Sequence, residues 1–259
     1  MKKISIKSIL KRKNKTPIVC LTAYSKNIAQ IADKNCDIIL VGDSLSMVLY
    51  GMKSTREINL ETMILHAKTV KKYSKKSLVV FDMPYKSYLN KISAYKNAKK
   101  VIKMTKCDAV KLEGGSNIVK TVSYLVKKKI PVMGHIGLMP QHAKKFKVKG
   151  KNFIQKKQIY NDALSISKSG AFAIIIECVV ESLAKNITRN IDVPTIGIGA
   201  SKYCDGQILV TEDMVGLSNF SPRFVKQYAK LNKSIEKSIK SYAKDVKMKR
   251  FPFAKNVYK

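Results

Sequence analysis

Short apolar runs alternate with longer amphipathic stretches along the chain. The runs are rich in Ile and Val, and there are eight of them: PIVCLTAY (17–24), DIILVGDS (37–44), SLVVFDMP (77–84), DAVKLEGG (108–115), PVMGHIGL (131–138), AFAIIIEC (171–178), VPTIGIGA (193–200) and QILV (207–210). Runs of this kind are typical of strands that are buried on both faces of a parallel sheet. The pattern therefore predicts eight parallel strands.

Most stretches between the runs have the periodicity of amphipathic helices. In LETMILHAKTVKKY, for example, one stripe is formed by Met63, Ile64, Ala67 and Val70. The alternation of strands and helices over 259 residues predicts an α/β fold, a (β/α)8 TIM barrel formed as a single domain over residues 1–259. A doubly wound open sheet is the alternative, and the strand count and the length favour the barrel.

A further helical pattern begins at about residue 222. The apolar residues that recur there at helical spacing are Phe224, Tyr228, Leu231, Ile235, Ile239 and Tyr242. Such a C-terminal helical segment either covers the barrel or makes a contact between subunits, and the pattern does not decide between these two roles.

Polar residues stand at the carboxyl ends of five successive runs. In chain order they are Asp43, Asp82, Lys111 with Glu113, His135 and Glu177. One such residue is ordinarily just a solvated loop residue. In a barrel, however, the carboxyl ends of the strands converge on one mouth, where active sites of this fold are built. Five strands in a row therefore favour an active site.

The chemistry of these residues is coherent. Asp43, Asp82 and Glu113 are three carboxylates that would repel one another unless a cation joined them, and oxygen ligands suit Mg²⁺. Lys111 lies two positions before Glu113, on the same side of its strand, where it can hold an anionic substrate group beside the metal. Ser44 offers a hydroxyl and a backbone N–H nearby.

Glu177 is the candidate for a general base. It follows the apolar run AIII, so its carboxylate is expected in apolar surroundings that suit a proton-abstracting group. A metal that polarises a carbonyl, with a base beside the neighbouring C–H bond, indicates enolate chemistry.

The formal charge of +34 raises the alternative of a nucleic-acid-binding protein. Nucleic-acid binders usually gather basic residues on one face and include Arg for bidentate contacts. Here five of the 51 basic residues are Arg, which leaves 46 Lys spread from end to end. We interpret them as solvated surface residues that attract anionic small molecules, and we expect no nucleic-acid partner.

Cysteines and apolar stretches indicate a reduced, cytoplasmic protein. Five single cysteines without a CxxC pair fit a reduced compartment and make a disulfide framework or a zinc site improbable. No apolar run approaches the roughly 18 residues that span a bilayer. The basic start lacks the apolar stretch and cleavage site of a signal peptide. We therefore expect no membrane association.

Ten segments, in order over about four fifths of the chain, carry a resemblance to a known family. They are CLTAY, VGDSLSMVLYG, FDMPYKSY, VKLEGG, PVMGHIGLMPQ, FKVKGK, IIECV, PTIGIGA, CDGQILV and PRFVK. The chain resembles the ketopantoate hydroxymethyltransferases, the folate-dependent enzymes that open the pantothenate pathway. Each segment alone is weak, but together they are highly specific.

The resemblance implies both a reaction and an assembly. It implies a Mg²⁺-binding (β/α)8 barrel that forms a homodecamer. It also implies transfer of a hydroxymethyl group from 5,10-methylenetetrahydrofolate to the 2-oxoacid 3-methyl-2-oxobutanoate, giving 2-dehydropantoate. Folate would be a consumed co-substrate in this reaction.

The resemblance also implies residue roles. Asp43 and Asp82 match the metal ligands, and Glu113 matches an acidic residue that reaches the metal through water. The contacts to the 2-oxoacid match Asp43, Ser44, Asp82 and Lys111. Glu177 matches the catalytic base, and His135 is given a supporting role near the reacting centre.

Three positions depart from the family pattern. Ser46 and Ser201 stand where Gly is usual, and Val180 stands where Pro commonly follows the base. If position 46 needs a positive φ, Ser adds strain there. A carbon–carbon lyase of the same Mg²⁺/2-oxoacid barrel superfamily is the enzymatic alternative, although the chain has no KKCGH-type loop.

Overall fold

The structure is a computed structural model that describes residues 3–143, 146–218 and 222–258. The chain has two compact units, residues 1–210 and 211–259. The strands of the first unit are β1 (Ile18–Thr22), β2 (Ile38–Val41), β3 (Leu78–Asp82), β4 (Ala109–Glu113), β5 (Val132–Gly137), β6 (Ala173–Glu177), β7 (Thr195–Ile198) and β8 (Gly206–Leu209).

The eight strands form a closed barrel in sequence order. Every neighbouring pair is parallel, and the ring closes where Ile18–Leu21 of β1 pair with Gly206–Leu209 of β8. The predicted TIM barrel is therefore confirmed over the open sheet, which would leave β1 and β8 as unpaired edges.

One helix of the first unit precedes β1, and the others lie in the intervals between successive strands from β1 to β7. They are α1 (Ile6–Leu10), α2 (Lys26–Asn35), α3 (Leu45–Val48), α4 (Leu60–Tyr73), α5 (Lys91–Thr105), α6 (Val119–Lys127), α7 (Phe153–Lys168) and α8 (Glu181–Asn190). An Asn side chain caps the first turn of α4, α5 and α7 by accepting backbone N–H bonds. The stripe predicted on α4 is buried as expected. No helix in the described ranges combines the length and apolar character needed to cross a bilayer.

Side-chain alternation along the strands divides the core into two layers. One layer fills the barrel interior and includes Ile38 and Leu40 of β2, Leu78 and Val80 of β3, and Ala109 of β4. Residues of the opposite parity, such as Ile39 and Val79, pack outward against the helices. Successive side chains of a strand point to opposite faces. Asp82, Lys111 and Glu113 are an even number of positions from the interior residues Val80 and Ala109 of their strands, so they also point into the barrel.

In its described part, the second unit contains the helices α9 (Thr211–Met214) and α10 (Leu231–Lys247) and a 3-10 turn at Ala254–Asn256. The predicted C-terminal helical pattern corresponds to α10, which begins later than residue 222. Phe224 and Tyr228 come before it, and Tyr228 N–H donates to the carbonyl of Met214.

Candidate active site

All seven residues predicted for the site lie at the carboxyl end of the barrel. Asp43 and Ser44 follow β2, whereas the remainder lie on strands: Asp82 on β3, Lys111 and Glu113 on β4, His135 on β5 and Glu177 on β6. Asp43, Asp82, Lys111, Glu113 and His135 are each at most 5% exposed. Ser44 and Glu177 are half-buried. Charged groups this deep require partners.

The primary ion pair joins two strands. Lys111 Nζ donates to both carboxylate oxygens of Asp82, at 2.7 and 2.8 Å. Its distance to Glu113 Oε1 is 3.7 Å. Asp82 and Lys111 face each other in the β3–β4 register. The lysine is therefore held mainly across strands, although Glu113 shares its side of β4.

A row of alternating charges crosses from β4 to β6. His135 Nδ1 lies 3.2 Å from Glu113 Oε1, and its Nε2 lies 3.1 Å from Glu177 Oε2. Neither ring nitrogen forms a hydrogen bond within the described part of the chain, so we interpret both contacts as close charge contacts. The β4–β5 register pairs Glu113 with His135 directly. The imidazole thus bridges two carboxylates.

Asp43 is tied to this group through Gln141, in the loop after β5. Gln141 Nε2 donates to Asp43 Oδ2 at 2.8 Å, and Gln141 N–H donates to Glu113 Oε2 at 3.0 Å. Asp43 N–H in turn donates to Asp82 Oδ2 at 3.2 Å. Asp43, Asp82 and Glu113 are therefore brought into one connected network.

Ser44 has a different neighbour. Its hydroxyl lies 2.8 Å from the hydroxyl of Tyr24, either of which can donate. The carbonyl of Tyr24 lies 2.7 Å from His66 Nδ1, on α4. Ser44 is thereby oriented by the loop that follows β1.

Burial and neighbouring charges shift the protonation equilibria in opposite directions. Burial and the Asp82 carboxylate raise the pKa of Asp43 well above its ordinary value. For Lys111, burial opposes the charge, but Asp82 and Glu113 outweigh it and hold the lysine pKa above its usual value. Lys111 is therefore charged at neutral pH.

Neighbouring charges also outweigh burial in setting the pKa values of Glu113 and His135. Burial raises the pKa of Glu113, but His135 and Lys111 outweigh it, and the carboxyl pKa falls below its usual value. Burial and Lys111 oppose protonation of His135, yet contacts with Glu113 and Glu177 raise its pKa to about 9. The pair is an ionised carboxylate beside an imidazolium at neutral pH.

The carboxylates of the site fit a hard cation that completes its coordination shell with water or substrate oxygens. The carboxylates of Asp43 and Asp82 interact electrostatically. In the part of the chain that the structure describes, the ion pairs of the other site carboxylates are made with Lys111 and His135. Within the described ranges, no three His, Cys, Asp or Glu side chains are grouped so that they alone could hold a metal ion. Mg²⁺ usually takes one or two carboxylates and completes its shell with water and substrate oxygens. Asp43 and Asp82 suit such an ion.

Comparison of the sequence with known families decides the assignment. A profile of the ketopantoate hydroxymethyltransferases matches residues 3–254. The chain belongs to the ketopantoate hydroxymethyltransferase family. It is 51% identical to the 3-methyl-2-oxobutanoate hydroxymethyltransferase of Pelagibacter ubique over 253 residues, which cover 98% of both chains. It is 48% identical to that of Bartonella henselae, covering 100% of this chain and 96% of the relative.

This hydroxymethyltransferase chain also resembles solved barrels of other activities. It superposes on a 2,3-dimethylmalate lyase of the PEP mutase/isocitrate lyase superfamily with a TM-score of 0.64 and 12% identity, covering 97% of this chain and 87% of the lyase. A phosphonopyruvate hydrolase gives a TM-score of 0.63 at 9% identity, covering 99% and 93%. These likenesses show the shared fold. The family match favours hydroxymethyl transfer over the lyase alternative.

Sequence reasoning missed three polar residues that form hydrogen bonds with residues predicted for the site, namely with Ser44, with Glu113, or with both Asp43 and Glu113. They are Gln141, Tyr88 and Tyr24. All three lie within the matching segments, in PVMGHIGLMPQ, FDMPYKSY and CLTAY. They stand in loops beyond the strand ends, where no periodicity indicates a direction for the side chain. Membership of a matching segment was the one available signal.

The three departures from the family pattern are accommodated locally. Ser46 lies in α3, buried, and it is not among the residues with positive φ, so the expected strain is absent. Its buried hydroxyl has no hydrogen-bond partner among the residues that the structure describes. Val180 is the N-cap of α8, and Ser201 accepts a bond from Tyr203 N–H at 3.1 Å.

Proposed function

We propose that this transferase uses 5,10-methylenetetrahydrofolate as its one-carbon donor and Mg²⁺ as its metal, with the barrel-mouth cluster as the catalytic site. One observation carries the proposal. Asp43, Asp82, Lys111 and Glu113 form a connected, almost fully buried network at the carboxyl ends of three neighbouring strands. Such buried charge is costly unless it has a function or full compensation.

Asp43 and Asp82 would hold Mg²⁺, and Glu113 would reach it through water. The ion, when bound, supplies polarisation of the keto oxygen of 3-methyl-2-oxobutanoate and stabilisation of the enolate. The phosphonopyruvate hydrolase with the same fold was solved with oxalate and Mg²⁺. Oxalate, like 3-methyl-2-oxobutanoate, carries a carboxylate beside a second carbonyl oxygen. This likeness supports the choice of metal.

Lys111 and Ser44 would position the 2-oxoacid, which Asp43 and Asp82 also contact. Lys111 carries a positive charge among the carboxylates of the barrel mouth, where Asp82 Oδ1 accepts a hydrogen bond from its Nζ at 2.7 Å. A cation so restrained favours an anionic group in one orientation. Ser44 offers a hydroxyl that Tyr24 orients.

Glu177 would remove the proton from C3 of the 2-oxoacid. Its side chain is 16% exposed, which leaves it more accessible than Glu113 at 1%, and its Oε2 faces His135 at 3.1 Å. His135 would act in support by orienting this carboxylate. Water adds to the iminium form of the folate one-carbon unit, and cleavage of the C–N bond releases formaldehyde and tetrahydrofolate. The enolate carbon then adds to the formaldehyde carbon, and the resulting alkoxide takes up a proton to become the hydroxymethyl group.

Exchange of the C3 proton for deuterium, without folate, tests this proposal. Glu177→Gln should abolish exchange, since the amide cannot accept the proton, and removal of metal by a chelator should stop it in the wild type. Glu181→Gln, an exposed residue at the start of α8, is the matched control and should exchange normally. Exchange by Glu177→Gln at the wild-type rate would remove Glu177 from the role of base.

We also propose a cytoplasmic homo-oligomer, a decamer as in the family, without a nucleic-acid partner. All five cysteines are free and buried, which supports a reducing compartment. Light scattering coupled to gel filtration gives the subunit number directly. Salt-dependent retention of RNA by the purified enzyme at physiological ionic strength would contradict the absence of a nucleic-acid partner.

A further inference from the structure

Gln141 is a fully buried residue with polar contacts to the ends of several strands. It is 0% exposed and follows β5 by four positions. Its side-chain nitrogen donates to Asp43 Oδ2 at 2.8 Å and to the carbonyl of Met83 at 3.0 Å. Its side-chain oxygen accepts from the hydroxyl of Tyr88 at 2.5 Å. The amide therefore uses both of its donors and its acceptor.

These partners fix the orientation of the amide. A primary amide turned by 180° would place its oxygen against the carbonyl of Met83 and the carboxylate of Asp43, which are both acceptors. The Tyr88 hydroxyl adds a further restraint, because it also accepts from Glu113 N–H at 3.3 Å. The side chain thus has a single favourable orientation.

The backbone of Gln141 is held as firmly as the side chain. Its N–H donates to Glu113 Oε2 at 3.0 Å, and its carbonyl accepts from Arg56 Nε at 2.8 Å. One residue therefore binds two site carboxylates, Asp43 by the side chain and Glu113 by the main chain. Each bond occupies one oxygen and fixes the direction of the other.

The bond from Gln141 N–H to Glu113 Oε2 determines where the other oxygen of this carboxylate lies. Its second oxygen, Oε1, is buried and has no hydrogen-bond donor within the described ranges. It lies 3.2 Å from His135 Nδ1 and 3.7 Å from Lys111 Nζ. The oxygen that faces Lys111 and His135 is therefore the one that Gln141 does not bind.

We infer that Gln141 is a positioning residue that sets the orientation of the Asp43 and Glu113 carboxylates for the metal and the 2-oxoacid. The inference rests on the proposed function, because it assigns these carboxylates to the metal. An apolar residue would fill the same buried volume without needing three matched partners. The satisfied amide is therefore better explained by orientation of the carboxylates than by packing.

The principal variant is Gln141→Met, which keeps the length of the side chain and removes its hydrogen bonds. Outer-shell partners of metal ligands typically contribute about 10–100-fold to metal affinity. We therefore expect Mg²⁺ to bind about 10–100-fold more weakly, measured by calorimetry with 3-methyl-2-oxobutanoate present and folate absent. Gln158→Met makes the same change on an exposed position of α7 and should bind Mg²⁺ as the wild type does.

A second variant keeps the inference testable if Gln141→Met fails to fold. Tyr88→Phe removes the hydroxyl that restrains the amide and leaves Gln141 in place. It should weaken Mg²⁺ binding by a smaller factor, about 3–10-fold, below the full outer-shell effect. In the Gln141→Met background the same change should have almost no further effect, because residues of one network do not act additively.

The outcomes are distinct. Wild-type protein that binds no Mg²⁺ would overturn the proposed function and this inference together. Wild-type protein that binds Mg²⁺, with a folded Gln141→Met variant binding it equally well, would overturn the positioning role alone. If Gln141→Met does not fold, wild-type affinity in Tyr88→Phe would overturn it. Weakened binding in a folded Gln141→Met variant, with normal binding in Gln158→Met, supports the role.

Discussion

Replacement of Lys111 by Met tests whether this lysine neutralises the buried acids of the barrel mouth. Lys111 is 3% exposed and donates to both oxygens of Asp82. Met has a similar length and no charge. In the variant, Asp82 would keep the N–H of Asp43 at 3.2 Å as a donor, and Asp43, Asp82 and Glu113 would lose their shared cation.

The expected cost is large because the pair is buried. Removing one partner of a buried ion pair typically destabilises a protein by about 3–5 kcal/mol. For a domain of roughly this size, 1 kcal/mol shifts the melting temperature by about 2–4 °C, so the melting temperature should fall by about 6–20 °C. The exposed pair of Lys100 and Glu61, at 2.8 Å with side chains 44% and 67% exposed, should contribute at most about 1 kcal/mol.

The assay is urea unfolding of Lys111→Met and of the control Lys100→Met, followed by far-ultraviolet circular dichroism because the chain contains no Trp. A chelator is included so that no bound cation compensates for the lost charge. Equal stability of the two variants, or a loss below about 1 kcal/mol for Lys111→Met, would refute the view that this lysine compensates the buried carboxylates.

Two further predictions concern the backbone, one beside the candidate site and one just before the amino end of β3. Gly137 has a φ of +93°, and an added Cβ would lie 2.4 Å from the carbonyl oxygen of Glu177. Gly137→Ala should therefore lower the free energy of unfolding by about 1–3 kcal/mol and slow the exchange of the C3 proton of the 2-oxoacid. Unchanged urea midpoint and exchange rate would contradict this. Asp33 accepts backbone bonds from Lys75, Lys76 and Ser77; burial raises its pKa, but these bonds outweigh it and lower the pKa below the ordinary value. The stabilisation by the Asp33 carboxylate is therefore present above about pH 4 and is lost as pH falls through the depressed pKa. Asp33→Asn should lower the free energy of unfolding by about 1–3 kcal/mol at pH 7 and by progressively less in urea titrations towards pH 3. A difference from the wild type that does not change with pH would contradict this role of Asp33.

Much of the fold and the proposed site followed from local patterns. Continuous Ile- and Val-rich runs predict the strands, and the positions of their carboxyl ends indicate Asp82, Lys111, Glu113, His135 and Glu177. This succeeded because side-chain direction along a strand is a local property with a period of two. Closure of the ring then brought the predicted positions to one mouth.

The sequence by itself determined which residues point into the barrel, whereas tertiary structure decided which of them touch. Lys111 and Glu113 share a strand face, but positions i and i+2 are about 6.6 Å apart, whereas neighbouring strands are about 4.8 Å apart. Lys111 therefore bonds to Asp82 on the next strand at 2.7 Å and lies 3.7 Å from Glu113. The position of Gln141 depends on a loop whose path no periodicity encodes, so its link between Asp43 and Glu113 appeared only in the folded chain.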